Sequence, residues 1–236
     1  MTISLTPIFI PGLILTRDIF TAQIDGLVHP AAAKTADTLG RDSITAMAEA
    51  ALALADGPLV PVGISMGGYI AMEMARLAPQ RLAGIALLNT QHRADPPERR
   101  KQREATIDMA QSDRFRVVTK HLMKSFLSPV ALEDEMLIAR VIAMAEKVGR
   151  ENFVLQQRAI LGRRDQSDTL SALSVPALVL GGALDTLTPP QASHDMAELI
   201  PDAELVIMKE IGHLSTIEAP DEVTDILNAY LARLVT

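Results

Sequence analysis

Val62-Gly63-Ile64-Ser65-Met66-Gly67-Gly68 stands between an apolar run, Leu59-Val60-Pro61-Val62, and a helical one, Tyr69-Ile70-Ala71-Met72-Glu73-Met74-Ala75-Arg76. It contains G-x-S-x-G, the pattern of a strand that turns sharply into a helix and holds one serine at the apex. Such a turn strains the serine backbone, and the flanking positions have to be small, because a Cβ there would strike the neighbouring strand or helix. The apex also lies at a helix N-terminus, where free N–H groups and the helix dipole favour a developing negative charge. A plain Gly-rich turn around a buried serine does not account for strand, elbow and helix in this order. The stretch predicts strands alternating with helices and a nucleophile at Ser65.

The alternation extends on both sides. Residues 7–10 read as a short apolar strand stopped by Pro11-Gly12, and 26–30 as a weaker one. Asp42-Ser43 offers an N-cap to a helix over 44–55, ended by Asp56-Gly57-Pro58. Further strands are expected at 82–88, 175–180 and 204–208, with helices at 190–199 and 221–234. This is the pattern of a parallel sheet covered on both faces. Residues 91–173 break it. There 97–111, 114–127, 130–147 and 151–162 are helical in pattern; Ser128-Pro129 starts the third run and Gly149 lies just past its end. The segment is too long for an ordinary loop. An insertion at the carboxyl edge of a parallel sheet lies over the ligand crevice. The expected division is a core of 1–90 and 174–236 with a helical lid, or cap, of 91–173.

With 236 residues, 48% hydrophobic and 22% charged, the chain has the composition of one soluble α/β domain with a core of its own. A net charge of −7 speaks against nucleic acid or an anionic membrane as partner. There is no cysteine, hence no disulfide framework, thiol nucleophile or thiolate metal site. His29, His92, His121, His194 and His213 show no metal-ligand spacing, so neither a metal nor another cofactor is expected. The run from Ile3 to Leu15 is apolar, but no Lys or Arg precedes it and Pro7, Pro11 and Gly12 interrupt it. It reads as a buried strand rather than a signal-peptide core, and no stretch reaches the length of a membrane span. The expected location is cytoplasmic; the oligomeric state is open.

A serine nucleophile on this scaffold needs an acid and then a histidine, each in a loop after a late strand. Asp185 follows Val179-Leu180-Gly181-Gly182, and His213 follows the strand ending at Met208. His213 would take the Ser65 proton and later return one to the leaving group; Asp185 would fix the imidazole tautomer. The alternative acid position, after the strand that follows the elbow helix, is Asn89, which cannot serve; Asp95 lies further out and is a poor second. Asp195 and Glu218 read as exposed helical or loop surface. Two backbone N–H groups would form the oxyanion hole, those of Met66 and of Leu13 in Pro11-Gly12-Leu13.

Phe9-Ile10-Pro11-Gly12-Leu13, the elbow, Gly182-Ala183-Leu184-Asp185 and Gly212-His213-Leu214-Ser215 occur in the order of the α/β-hydrolase superfamily. The chain resembles that superfamily over nearly its whole length, and within it a short bacterial serine-hydrolase or esterase branch. It departs from the pattern in two places. Pro11-Gly12 replaces the usual His-Gly, which leaves main-chain oxyanion donors feasible. The chain also starts almost at the first retained strand, so the resemblance implies an α/β-hydrolase sheet of about six parallel strands.

The resemblance implies hydrolysis of a small-molecule carboxylic ester through an acyl-enzyme. Carbon–carbon bond, lactone and thioester hydrolysis would use the same triad, and a ligand-binding receptor on the same fold is a non-enzymatic alternative. Leu15, Met66, Met109, Phe115, Leu122, Met123 and Phe126 are candidates for an apolar substrate pocket, or for packing of the lid on the sheet. The basic residues Arg93, Arg99, Arg100, Lys101 and Arg103 form either a solvated helix face or an attractor for an acidic substrate or an acyl-carrier protein.

Overall fold

Phe9 packs into one apolar cluster while its neighbours Ile8 and Ile10 pack into another. The same split separates Ala86 and Leu88 from Ile85 and Leu87, and Leu178 and Leu180 from Ala177 and Val179. Alternate strand residues point to opposite faces, so a strand that is apolar throughout must be covered twice. The structure, a computed structural model, describes residues 5–28, 32–110 and 120–235 and shows how that cover is provided.

The first part of the chain runs β1 (Thr6–Ile10), α1 (Thr21–Asp25), β2 (Lys34–Thr35), α2 (Ile44–Leu52), β3 (Leu59–Ile64), α3 (Met66–Leu77) and β4 (Ile85–Leu88). Among the described residues, four helices follow without a strand: α4 (Pro97–Ala110), α5 (Lys120–Phe126), α6 (Glu135–Leu161) and α7 (Ser167–Ser171). Then come β5 (Ala177–Gly182), α8 (Pro190–Leu199), β6 (Ala203–Met208), α9 (Ser215–Glu218) and α10 (Pro220–Arg233). The six strands form one sheet in the order β2-β1-β3-β4-β5-β6, every pair parallel. α1, α10 and parts of α5 and α6 bury one face through residues such as Ile24, Leu227 and Phe153. α2, α3, α7 and α8 bury the other through Met47, Ile70, Leu170 and Met196. This is the α/β-hydrolase architecture that the elbow and its flanks imply. Among the described residues no helix is long and apolar enough to cross a membrane.

Two elements differ from expectation. Residues 26–28 do not form a strand: Gly26 closes α1 with its N–H on the Ala22 carbonyl (2.9 Å), and the Asn228 side chain bonds Gly26 O (2.9 Å) and Val28 N (3.1 Å). Leu27 is buried while Val28 is exposed, and the second strand is instead the short pair Lys34–Thr35 beside Ile8 and Phe9. His29 and Pro30 lie outside the described residues. In the long insertion, Ser128 caps only a short turn at Ala131 (3.2 Å), and Asp134 caps α6 at Met136 and Leu137. The two helical runs either side of Gly149 join into α6, but Gly149 sits at φ 72°, ψ 170°, so the expected break survives as a kink there.

Candidate active site

Ser65 sits between β3 and α3 at φ 55°, ψ −118°, a backbone conformation that L-residues adopt only under constraint. The constraint is visible on each side. Ser65 N–H donates to Leu88 O (3.0 Å), and Ser65 O accepts from Gly68 N (3.0 Å) and Thr90 Oγ1 (2.7 Å). A Cβ on Gly67 would stand 1.9 Å from Ile10 O, and one on Gly63 would stand 2.2 Å from Gly67 O. α3 can therefore begin against β1 only if both motif glycines lack side chains.

The loops after β5 and β6 carry Asp185 and His213. His213 Nε2 lies 2.9 Å from Ser65 Oγ, and its Nδ1 lies 2.7 Å from Asp185 Oδ2. Asp185 and His213 are 3% and 2% exposed, so both are shielded from competing water. Asp185 Oδ1 accepts from the backbone N–H groups of Leu187 and Thr188 (2.9 Å each), and Oδ2 from Thr188 Oγ1 (2.7 Å) and Asn89 Nδ2 (3.1 Å). Burial pushes the Asp185 carboxyl up, but the His213 charge and the bonds from His213 and Thr188 outweigh it and hold it below the usual carboxylate range. An ionised carboxylate can only accept, so the proton belongs on His213 Nδ1 and Nε2 is left to accept from Ser65. The imidazole itself is stacked on Phe126 (5.9 Å, 22°), and its backbone N–H donates to Phe126 O (3.0 Å).

Three residues support the site in ways that no motif announces. Asn89, at φ 43° and fully buried, bonds Asp185 Oδ2 and Gly212 O (3.0 Å) and accepts from Ser215 Oγ (2.6 Å). It is no acid, as expected, but it ties the acid loop to the histidine loop. Its signal was available: an Asn directly after a strand tolerates positive φ better than most residues. Glu218 corrects an expectation, because it is half-buried, not exposed surface. Its carboxylate accepts from the N–H groups of Ser128 and Gly212 (3.0 Å each) and Leu214 (3.1 Å), fastening the histidine loop to the turn after α5. Gln156, fully buried on α6, accepts the Ile14 N–H (3.0 Å) and donates to Thr38 Oγ1 (3.1 Å). It holds Ile14 at φ 58°, next to Leu13. Asp195 stays on the α8 surface, bonded to Gln191 (2.8 Å). Asp95 is committed to Arg103 (2.6 Å) and Arg163 (2.7 Å).

The expected oxyanion loop lies against the serine: a Cβ on Gly12 would be 3.1 Å from Ser65 Cβ. Met66 is the first residue of α3, so its N–H has no intrahelical acceptor. Leu13, Leu15, Leu122 and Phe126 line a cleft of about 190 Å³ that also contains Ser65 and His213. Met66 and Met123 are buried in the core. Met109 does not reach the cleft; it is 59% exposed, and Ala110, one residue further round the helix, takes the inward position. Phe115 lies outside the described residues. The basic run divides. Arg93 pairs at the surface with Asp195 (3.4 Å), Arg100 bonds Leu161 O (2.6 Å), Lys101 is exposed, and Arg99 and Arg103 line the cleft.

The profile of the alpha/beta hydrolase fold matches residues 37–220, a span that includes the elbow, the acid loop and the histidine loop. The chain belongs to the alpha/beta hydrolase fold family. Its relatives in that family include a dihydrolipoyllysine-residue acetyltransferase component of an acetoin cleaving system from Pseudomonas putida, 28% identical over 94% of this chain. The chain spans only 58% of that protein's length. A pimeloyl-[acyl-carrier protein] methyl ester esterase from Aliivibrio fischeri is 23% identical over 90% of this chain and 82% of its own. Among solved structures, a thermophilic esterase from Thermogutta terrifontis, solved with malate bound, superposes with a TM-score of 0.90 at 26% identity, covering 100% of this chain and 92% of that one. This alpha/beta hydrolase therefore has esterase-type relatives by sequence and by structure.

Proposed function

We propose that the protein is a serine hydrolase that cleaves a carboxylic ester through an acyl-enzyme, with Ser65, His213 and Asp185 as its triad. The observation that carries the reading is the unbroken line of hydrogen bonds from Asp185 through His213 to Ser65 at the cleft (2.7 and 2.9 Å). Ser65 Oγ attacks the ester carbonyl as His213 Nε2 removes its proton. The new oxyanion is received by the N–H groups of Leu13 and Met66, preorganised donors that need no rearrangement as charge develops. His213 then protonates the departing alkoxide, and in the second half it deprotonates the water that attacks the acyl-enzyme.

Residues 91–173 serve in this reading as the lid over a core of 1–90 and 174–236. Its support is that α4, α5 and α6 all contribute walls to the cleft, through Arg103, Phe126 and Gln157 among others. The choice of an ester follows the esterase relatives, and a cytoplasmic setting is part of the same proposal. The test is turnover of p-nitrophenyl acetate by the wild-type protein and by Ser65→Ala. The proposal expects saturable hydrolysis that falls about 10⁴-fold or more in the variant. Absence of wild-type turnover would favour the receptor alternative, and turnover surviving in Ser65→Ala would place the chemistry elsewhere.

A further inference from the structure

α4 turns an unusual stripe toward Ser65. Arg99, Gln102, Arg103 and Thr106 stand at i, i+3, i+4 and i+7, one face of the helix, and all four line the cleft. An inserted helix that served only to cover an acyl chain would put its apolar residues on that face. Here the apolar part of the cleft comes from elsewhere, from Leu15, Leu122, Phe126, Leu187 and Leu214. The cleft thus has an apolar wall and a polar, cationic wall, and among the described residues no Asp or Glu lines it.

The cations are placed in different ways. Arg103 is held rigid: its Nε donates to Asp95 (2.6 Å) and its Nη1 to Gln157 Oε1 (2.6 Å), and its side chain is 14% exposed. Its Nη2 has no partner among the described residues. Asp95 is shared with Arg163, which lies 4.4 Å over the Tyr69 ring, so one carboxylate stands between two guanidinium groups and a positive excess remains. Arg99, half-buried one turn before Arg103, has no carboxylate partner among the described residues. This excess sits in a chain of net charge −7, where it is a local field and not a general property of the surface. A planar guanidinium pair with open donors matches a carboxylate. At about 190 Å³ the cleft is smaller than the ~300–1,000 Å³ of sites for drug-sized ligands.

We infer that the cleft takes a monoester of a small dicarboxylic acid, with the reacting carbonyl at Ser65 and the distal carboxylate on Arg99 and Arg103. This rests on the serine-hydrolase reading above for the chemistry at Ser65, but the anion site stands on its own residues. Hydrolysis breaks the acyl–oxygen bond and consumes one water, releasing the alcohol and the free dicarboxylate.

Two measurements test it, each on wild type, Arg99→Gln and Lys101→Gln. Lys101 is exposed on the same helix and outside the cleft lining, so its variant removes the same charge without touching the site. The first is kcat/KM for monomethyl glutarate relative to methyl pentanoate, a neutral ester of the same chain length. Wild type and Lys101→Gln should prefer the charged ester by about tenfold or more, the scale of a charge-assisted hydrogen bond. Arg99→Gln should lose most of that ratio, mainly through KM, and added salt should reduce it in wild type. The second is calorimetric binding of glutarate and of pentanoate, which needs no turnover. Glutarate should bind more tightly, and Arg99→Gln should weaken it about tenfold. Equal treatment of charged and neutral ligands by wild type, or an Arg99→Gln ratio matching wild type, overturns the inference even if esters are hydrolysed. Glutarate binding lost in Arg99→Gln, with no ester hydrolysed, keeps the anion site and overturns the hydrolase reading instead.

Discussion

Replacing Gln156 with Leu should damage turnover far more than its distance in sequence from the elbow implies. Gln156 is fully buried and reaches the proposed oxyanion loop with both ends of its amide occupied, Oε1 by Ile14 N–H and Nε2 by Thr38 Oγ1. Leucine leaves two buried polar groups unpaired, at about 1–3 kcal/mol each, so stability should drop by roughly 2–6 kcal/mol. Ile14 is β-branched at φ 58°, a strain of about 1–3 kcal/mol that persists only while something enforces it. Without the tether the backbone relaxes and carries the Leu13 N–H with it. Loss of one oxyanion donor reduces kcat about 10²–10³-fold. The assay is kcat for p-nitrophenyl acetate at a temperature where circular dichroism shows the variant folded, with urea unfolding measured alongside. Thr38→Val is the companion: it removes only the outer bond, so it should cost stability while kcat stays within about threefold. A folded Gln156→Leu with unaltered kcat, or a Thr38→Val as inactive as Gln156→Leu, refutes the reasoning.

Gly67→Ala would put a Cβ 1.9 Å from Ile10 O, between α3 and β1, and should cost about 3 kcal/mol or more in urea unfolding, with activity lost even where the fold survives. Asp185→Asn should lower kcat about 10⁴-fold by releasing the imidazole tautomer, whereas Asp95→Asn should lower the unfolding midpoint and leave the folded protein's kcat within a few-fold. Glu73 is buried, which raises its pKa, but Arg76, Thr45 and Gln166 outweigh that and bring it down to about 2. Between pH 4.5 and 2 the unfolded chain therefore binds the extra proton, so stability from this group is complete above that window and is lost as pH falls through it. Unfolding free energy followed over that range should decline less steeply in Glu73→Gln than in wild type.

The parts of the site that were legible in the sequence are those fixed by local pattern. Ser65 follows β3 directly, Asp185 and His213 stand in the loops after β5 and β6, and a strand end in a parallel sheet dictates where the next loop stands. What the sequence hid was made by contacts between distant segments. Glu218 reaches Ser128 across 90 residues, and Gln156 reaches Ile14 across 142, with no motif to announce either. Glu218 read as surface because a single carboxylate near a helix end usually is. Two of its backbone donors, Gly212 and Leu214, are local, but the third, Ser128, appears only once the turn after α5 is folded against the histidine loop. β2 was misplaced for a related reason. Lys34 and Thr35 carry no apolar alternation, so nothing but the register with Ile8 and Phe9 marks them as strand. Leu27 supplies an apolar signal nearby, and it is buried in the core without being part of a strand. The cleft-facing stripe of α4 was partly legible as a basic run, but periodicity alone does not say which face of a helix is inward when the helix is polar on most sides.

The central claim is that Ser65 is an activated nucleophile. Incubation with a fluorophosphonate, followed by intact-protein mass and peptide mapping, tests it most directly in wild type beside Ser65→Ala. The account predicts one adduct on wild type, mapped to the peptide carrying Ser65, and none on the variant. No adduct on wild type, or an equal adduct on both proteins, would contradict it.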